Sequence, residues 1–569
     1  MVPTDTPHHG TTVIHSLLYG IRTLLWLVAR AASLRARAPD YVVFTLSGPL
    51  PLVAPPRRWG RSPFGPCEGS LHGLAEACRR IATDPRIAGV VFNLRTHLSP
   101  AAADGLREVF QGLGAAGKRV VVYAAELDTQ GVRIAAAAHR VVLQEGGRVG
   151  PLGVARAFLF LADALGRVGV RAQVVPSGPY KWPGTFDRTD LPEPVRENME
   201  ALLDADQAAL VDALVAGRGK TPAGVGALID QGLLTDLEAQ AEGLVDELAA
   251  EEQLPALLGT PRHPARLATW ARARRGLRRP PPPRPGRYVA LIRVQGYIVS
   301  GRSQTPPLVP PLPMLFAPRA GDLSVVQAAR RVLADRRAAA CVLWIDSPGG
   351  SATASEAMYQ ALAALGAHKP VVAAMGNVAA SGGYYVAAAA HWVVARPGTL
   401  TGSIGALWTK FTIGDFFTRV SLHRQVLSRG RHATMHDAAR PYTEEQLRMV
   451  ERGVARVYEV FRARVAAGRK LTPEAVDGVG QGRVFRGAQA LDARLVDALG
   501  GLDAAVAKAR ELSGLPPDAP LLEVGAGRRG LPPPRAGATP AALYAAESVA
   551  LLGREGCHAL CPLWTDPPE

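Results

Sequence analysis

The chain has 569 residues, with 65 basic against 49 acidic side chains and a formal charge of +16 at pH 7. At about 150 residues per domain this length holds two to four domains, and 48% hydrophobic with 20% charged residues excludes a wholly disordered chain. No clean apolar run of about 20 residues occurs, which excludes a polytopic membrane protein, and five cysteines are too few for a disulfide scaffold.

Only seven of the 65 basic residues are lysine, at 118, 181, 220, 369, 410, 470 and 508. The arginines are scattered, with a modest cluster at 272–279, and no zinc finger, RNA-recognition signature or aromatic-interleaved basic stripe goes with them. Nucleic acid is therefore not a predicted partner. Arginine in place of lysine beside abundant Ala, Gly and Pro reads largely as the background of a GC-rich genome, with attraction to an anionic membrane surface as the functional alternative.

Taken in chain order, residues 13–33 place apolar side chains at helical spacing, broken by Arg22 and Arg30. The run is too short and too charged to span a bilayer, and it lacks the basic start and small-residue cleavage site of a signal peptide. The pattern predicts an amphipathic helix lying on a membrane surface, within a segment 1–39. A helix packed on protein is the alternative.

Beyond it the sequence repeats itself. AAAAH occurs at 135–139 and again at 387–391, 252 residues apart. The likeness extends outward: 120–154 aligns with the region around 371–406, 86–100 with 337–351, 42–48 with 290–296, and Leu244-Val245-Asp246 with Leu495-Val496-Asp497. The chain thus reads as two diverged copies of one domain, 40–277 and 288–515. A proline-rich linker at 278–287 joins them, and a Pro/Gly-rich, peripheral tail runs from 516 to 569. In the second copy YVALIRV, ACVLWID, VVAAM and HWVVA read as buried strands. Helices are predicted at 331–339, 352–365, 382–390 and 447–468. Near-continuous apolar strands alternating with helices indicate a parallel sheet with crossover helices, so the fold class is α/β, twice over.

The copies differ where chemistry would sit. In the second, ACVLWID runs into Ser347-Pro348-Gly349-Gly350-Ser351, and glycines at such a turn leave amides free to face an oxyanion. The first copy has Thr96-His97-Leu98-Ser99-Pro100 there. Ser381, in GNVAASGGYY, stands at a tight turn entering an Ala-rich helix, a place that favours an alkoxide. The Gly382 amide is a candidate oxyanion donor. The first copy carries Thr129 at that position. A serine nucleophile needs a base. His391 is matched by His139 and reads as structural, and His423, His432 and His436 lie in no recognisable context. Lys181, in VVPSGPYKWPGTF, is the alternative, and its counterpart is Ala433. One copy therefore holds the candidate base and the other the candidate nucleophile. If the copies pack together they complete one site, with Lys181 Nζ within about 3 Å of Ser381 Oγ.

The SPGG turn, GNVAASGGYY, TGSIG and GPYK together resemble the long, duplicated form of the signal peptide peptidase A (protease IV) family, over about 40–515. The resemblance implies a crotonase- and Clp-protease-like fold in each copy and a membrane-associated serine endopeptidase with a Ser–Lys dyad. Ser381 is then the nucleophile and Lys181 the base. Ser403 of TGSIG orients that lysine, and Gly382 with Gly349 or Gly350 forms the oxyanion hole. Pro151 stands at the Ser403 position of the first copy. The resemblance also implies a bowl-shaped homotetramer, no metal or cofactor, and cleaved signal peptides and other unstructured apolar peptides as substrates. It places the protein at a bacterial inner membrane, with the catalytic domains on the extracytoplasmic side or, alternatively, the cytoplasmic side. Two features depart from the family pattern: no clear spanning segment precedes the first copy, and Asp346 stands where Asn is expected. A crotonase-fold hydratase or isomerase would want a carboxylate base that is not seen. A non-catalytic scaffold would not need Ser381, Lys181 and Ser403 together. Cys67, Cys78, Cys557 and Cys561 have spacings that assign no pairing, and Cys341 reads as a buried hydrophobe.

Overall fold

The computed structural model describes residues 20–21, 23–28, 37–54, 69–277, 286–305, 318–525 and 557–560. Each copy builds a sheet of the same design. In the first, the strands run in the order Leu234–Thr235, Arg140–Val149, Arg119–Leu127, Gly89–Arg95, Tyr41–Ser47 and Leu267–Thr269, with Glu247–Leu248 alongside. In the second, the order is Val484–Arg486, Leu400–Gly402, Val371–Ala380, Ala338–Ser347, Tyr288–Gln295 and Leu521–Glu523, with Trp392–Ala395 and Ala498–Leu499 to the side. The central strands are parallel and buried on both faces, which is why they read as unbroken apolar runs. At one edge of each sheet a short strand pairs antiparallel, Leu234–Thr235 in the first and Val484–Arg486 in the second.

Local physics sets the helix starts. Ser70, Ser99 and Ser351 cap three of them with their hydroxyls, and Thr443 closes a capping box with Gln446 at the head of the long helix Glu444–Arg469. The helix expected at 331–339 starts earlier and stops sooner, at Asp322–Ala334. A turn through Asp335 follows, and Ala338 and Ala339 open the next strand, where they are buried. Alanine suits either element, so the pattern alone misplaced this boundary. The helix expected at 382–390 ends at Ala387.

The second copy also extends past 515. Leu521–Glu523 pairs parallel with Tyr288–Gln295 as its edge strand, so this part of the tail is integral rather than peripheral. The linker lies outside the described residues except for 286 and 287, as do Cys67 and Cys561. Cys78 and Cys341 are free and buried. Most of 13–33 is likewise outside the described residues. Where described, 20–28 is helical, and Ile21, Leu24, Leu25, Leu27 and Val28 are exposed. Among the described residues no helix is long and apolar enough to cross a membrane.

The copies are not independent beads. One hydrophobic core runs through both, taking Phe44, Phe92 and Phe110 from the first and Val289, Trp344 and Val372 from the second. A third sheet is built from both copies. The strand Arg171–Pro176 of the first pairs antiparallel, over six residue pairs, with Leu407–Thr412 of the second. The helix Glu193–Arg218 of the first then reaches the edge of the second sheet. There Asn198 Nδ2 donates to Val484 O at 2.9 Å, and its Oδ1 accepts from Val484 N at 2.9 Å.

Candidate active site

Ser381 follows the strand Val371–Ala380 and opens the helix Gly382–Ala387. Its backbone sits at φ 54° and ψ −115°, outside the regions comfortable for a side chain. Two backbone bonds hold it there: its N–H donates to Gly402 O at 2.8 Å, and its carbonyl accepts from Tyr385 N at 2.8 Å. The turn is tight because Gly383 lies against Ser347, where a Cβ would fall 2.6 Å from Ser347 O.

Lys181 arrives from the other copy, five residues after the cross-copy strand Arg171–Pro176. Ser177 fixes the strand's end: its N–H donates to Ala406 O, and its Oγ accepts from Ala406 N, both at 2.9 Å. Lys181 Nζ then lies 2.7 Å from Ser381 Oγ, 2.8 Å from Ser403 O and 3.0 Å from Ser403 Oγ. All three residues have no exposed surface. An ammonium donates three hydrogens, a neutral amine two. The Ser403 carbonyl can only accept. With a neutral amine, the Ser381 hydroxyl is therefore free to donate to Nζ, the alignment a base needs.

Gly349 and Gly350 form a short strand beside this turn at φ 102° and φ 154°, where glycine is favoured. A Cβ on Gly350 would lie 2.0 Å from Ile298 O. The Gly349 amide donates to Ser347 Oγ at 3.1 Å, and that hydroxyl donates to Gly296 O at 2.6 Å. Of the two candidate oxyanion glycines, Gly349 is thus engaged within the protein. Gly382 is the first residue of its helix, where amides lack intrahelical partners.

Asp346 accepts from Val378 N at 3.2 Å and packs on Gly376. Burial pushes its carboxyl up to about 6, against the pull of backbone hydrogen bonds from Val378 and Asn377. His391 Nδ1 accepts from Val371 N and His139 Nδ1 from Val120 N, the same structural bond in both copies. His432 and His436 make their contacts with Glu445 and with Trp408 and Tyr442. Ala433, the counterpart of Lys181, lies in a turn beside them.

Other positioning residues left no signal in the sequence. Gly482, at φ 95°, lies so close that a Cβ there would stand 2.4 Å from Lys181 Cα. Arg483 stacks on Tyr180, its guanidinium 3.9 Å from the ring centroid, and donates to the Tyr180 hydroxyl at 2.6 Å. These partners lie about 300 residues apart in the chain, and no local pattern announces such a contact.

The family model described as peptidase family S49 matches residues 113–260 and 363–516. The chloroplastic serine protease SPPA of Arabidopsis thaliana is 29% identical over 469 residues, covering 79% of this chain and 66% of that protein. Protease 4 of Salmonella typhi is 31% identical over 486 residues, covering 80% of this chain and 75% of that protein. Protease 4 of Haemophilus influenzae is 28% identical over 474 residues, with coverage of 78% and 73%.

Proposed function

The chain belongs to peptidase family S49, and from that premise we propose that it is a serine endopeptidase working through a Ser381–Lys181 dyad completed across its two copies. The observation that carries this is the 2.7 Å approach of Lys181 Nζ to Ser381 Oγ, with both groups wholly buried. A lysine base must act as the neutral amine, and removal from water is the general means by which proteins favour that form.

Lys181 takes the proton of Ser381 as Oγ attacks a peptide carbonyl. Ser403 holds the amine in line through its hydroxyl and carbonyl. The developing oxyanion is met by the Gly382 amide at the helix start, with Gly350 rather than Gly349 as second donor, since Gly349 is bound to Ser347. The protonated lysine passes its proton to the leaving amine and the acyl-enzyme forms. Lys181 then activates the water that releases it.

The substrates are cleaved signal peptides and other unstructured apolar peptides. The exposed apolar face of Ile21, Leu24, Leu25 and Val28 supports adhesion to an anionic bilayer surface. The setting is a bacterial inner membrane with the catalytic copies on its extracytoplasmic side, and the working assembly is a homotetramer.

Cleavage of casein and of a fluorogenic apolar peptide by the wild type, Ser381→Ala and Lys181→Ala tests the dyad. Lys181→Ala should lower kcat by about 10²–10⁴-fold, and Ser381→Ala at least as much. Normal turnover by Lys181→Ala beside an inactive Ser381→Ala would remove the lysine from the mechanism.

A further inference from the structure

The third sheet contains a strand that neither copy contributes. Its order is Arg319–Gly321, Tyr297–Val299, Gly349–Ser351, Cys557–Leu560, Leu407–Thr412 and Arg171–Pro176. The C-terminal strand Cys557–Leu560 is antiparallel to both neighbours. On one side Gly349 faces Leu560, Gly350 faces Ala559 and Ser351 faces His558. On the other, Leu407 faces His558 and Trp408 faces Cys557. With neighbouring strands about 4.8 Å apart, the two walls leave room for one extended chain and no more.

These walls belong to the proposed active site. One is the glycine strand beside Ser381. The other is the strand whose pairing with Arg171–Pro176 delivers Lys181. The inserted strand also packs against the helix that Ser381 opens. A substrate held by main-chain pairing to both walls would have to lie where Cys557–Leu560 lies. Such pairing takes its affinity from backbone groups and tolerates many sequences, so the tail and an unstructured peptide compete on similar terms. The tail belongs to the same chain, so its occupancy of the slot does not fall as the protein is diluted, whereas that of a free peptide does.

We infer that Cys557–Leu560 is a resident occupant of the peptide-binding slot, which an incoming peptide must displace. The inference rests on the peptidase reading for the identity of the slot. If the tail fills the slot nine-tenths of the time, apparent affinity for any competing peptide falls about tenfold.

The test measures binding apart from chemistry. Three proteins carry Ser381→Ala: the full chain, a chain ending at residue 525, and the full chain with Ala559→Pro. The proline removes one backbone donor from a strand paired on both sides and fixes its φ, so either ladder is broken. It also keeps the test alive if truncation harms folding. The probe is a fluorescein-labelled peptide copying residues 553–564, followed by anisotropy. The Kd should fall about tenfold in the truncated and proline proteins relative to the full chain. An equal Kd in all three overturns the inference. With Ser381 intact, the truncated chain should show a kcat/KM raised by a similar factor at unchanged kcat. Tighter probe binding without any hydrolysis would sink the peptidase reading and leave the occupant standing. Hydrolysis that is indifferent to the tail would do the reverse.

Discussion

Ser381 at φ 54° and Ser403 at φ 53° both hold backbone geometry that disfavours a side chain, at a cost on the order of 1–3 kcal/mol each. The neighbouring bonds of Ser381 to Gly402 and Tyr385 over-determine that geometry. Asp346 carries a cost of another kind. Its carboxyl titrates near 3.8 when unfolded and is raised to about 6 by burial in the fold. Below about 3.8 both states hold the proton and nothing is lost. Between there and about 6 only the folded state holds it, so stability falls as pH rises through that window and stays reduced above it. The shift corresponds to about 3 kcal/mol, trimmed to about 1–2 because the residue is not fully enclosed. Asp346→Asn keeps an oxygen to accept from Val378 N–H and removes the charge. Urea denaturation at pH 4.5 and 7.5 should show the variant more stable than wild type by about 1–2 kcal/mol at the higher pH, with most of that gain gone at the lower. A gain of equal size at both pH values would place the effect in packing instead of ionisation.

At the scale of elements, the apolar runs, the SPGG turn and the serine turn were legible because strand periodicity and glycine turns are local signals. The meeting of Lys181 with Ser381 was inferred from complementary gaps between the copies, not from any contact pattern. What stayed hidden was the third sheet. Lys410 faces Gln173 and Thr409 faces Val174 across more than two hundred residues of chain, and neither short strand has an alternation of its own. The tail read as peripheral because proline and glycine dominate its composition, while the four residues that pair are few and unremarkable in sequence. The loop 480–483 was missed for the same reason, yet it presses on the lysine. Gly482 donates to Ile404 O at 2.9 Å, and Ser403 donates to Arg483 O at 2.6 Å, so one loop braces both Lys181 and Ser403. Gly482→Ala must displace the Lys181 backbone, since a Cβ would stand 2.4 Å from it. A misplacement of about 1 Å costs on the order of 10²-fold in rate. Peptide cleavage should therefore fall by about that factor through kcat, while the thermal midpoint drops only by the modest strain of alanine at positive φ. Unchanged kcat would mean that the lysine is held from elsewhere.

For the whole molecule, a site divided between copies is only as sound as the seam that joins them. The charge of +16 takes on a different meaning there. Arg486 reaches Asp206 across the seam and Arg396 reaches Glu108, while Arg133 pairs with Asp104 within the first copy. Much of the arginine excess remains scattered, but these three sit inside ion pairs where a planar, permanently charged fork suits a carboxylate better than lysine would. Asp104 carries the most. Its Oδ1 accepts from Arg133 Nη2 at 2.8 Å, and its Oδ2 accepts from Gly398 N at 2.6 Å in the other copy. Its side chain is 6% exposed and that of Arg133 is 4% exposed. Asp104→Ala strands a buried guanidinium and a buried amide together, which should lower stability by about 3–5 kcal/mol. Asp104→Asn keeps an oxygen for one of the two donors and should lose less. Urea denaturation gives the stability of each, and cleavage of a fluorogenic peptide at sub-denaturing urea reports the dyad. Because Gly398 lies two residues before Leu400–Gly402, the strand whose Gly402 carbonyl receives the Ser381 N–H, activity in Asp104→Ala should fade at lower urea than the global transition. Activity and fold lost in a single coincident step would mean that the seam has no separate weak point. A loss below about 1 kcal/mol would show that Asp104 does not hold it.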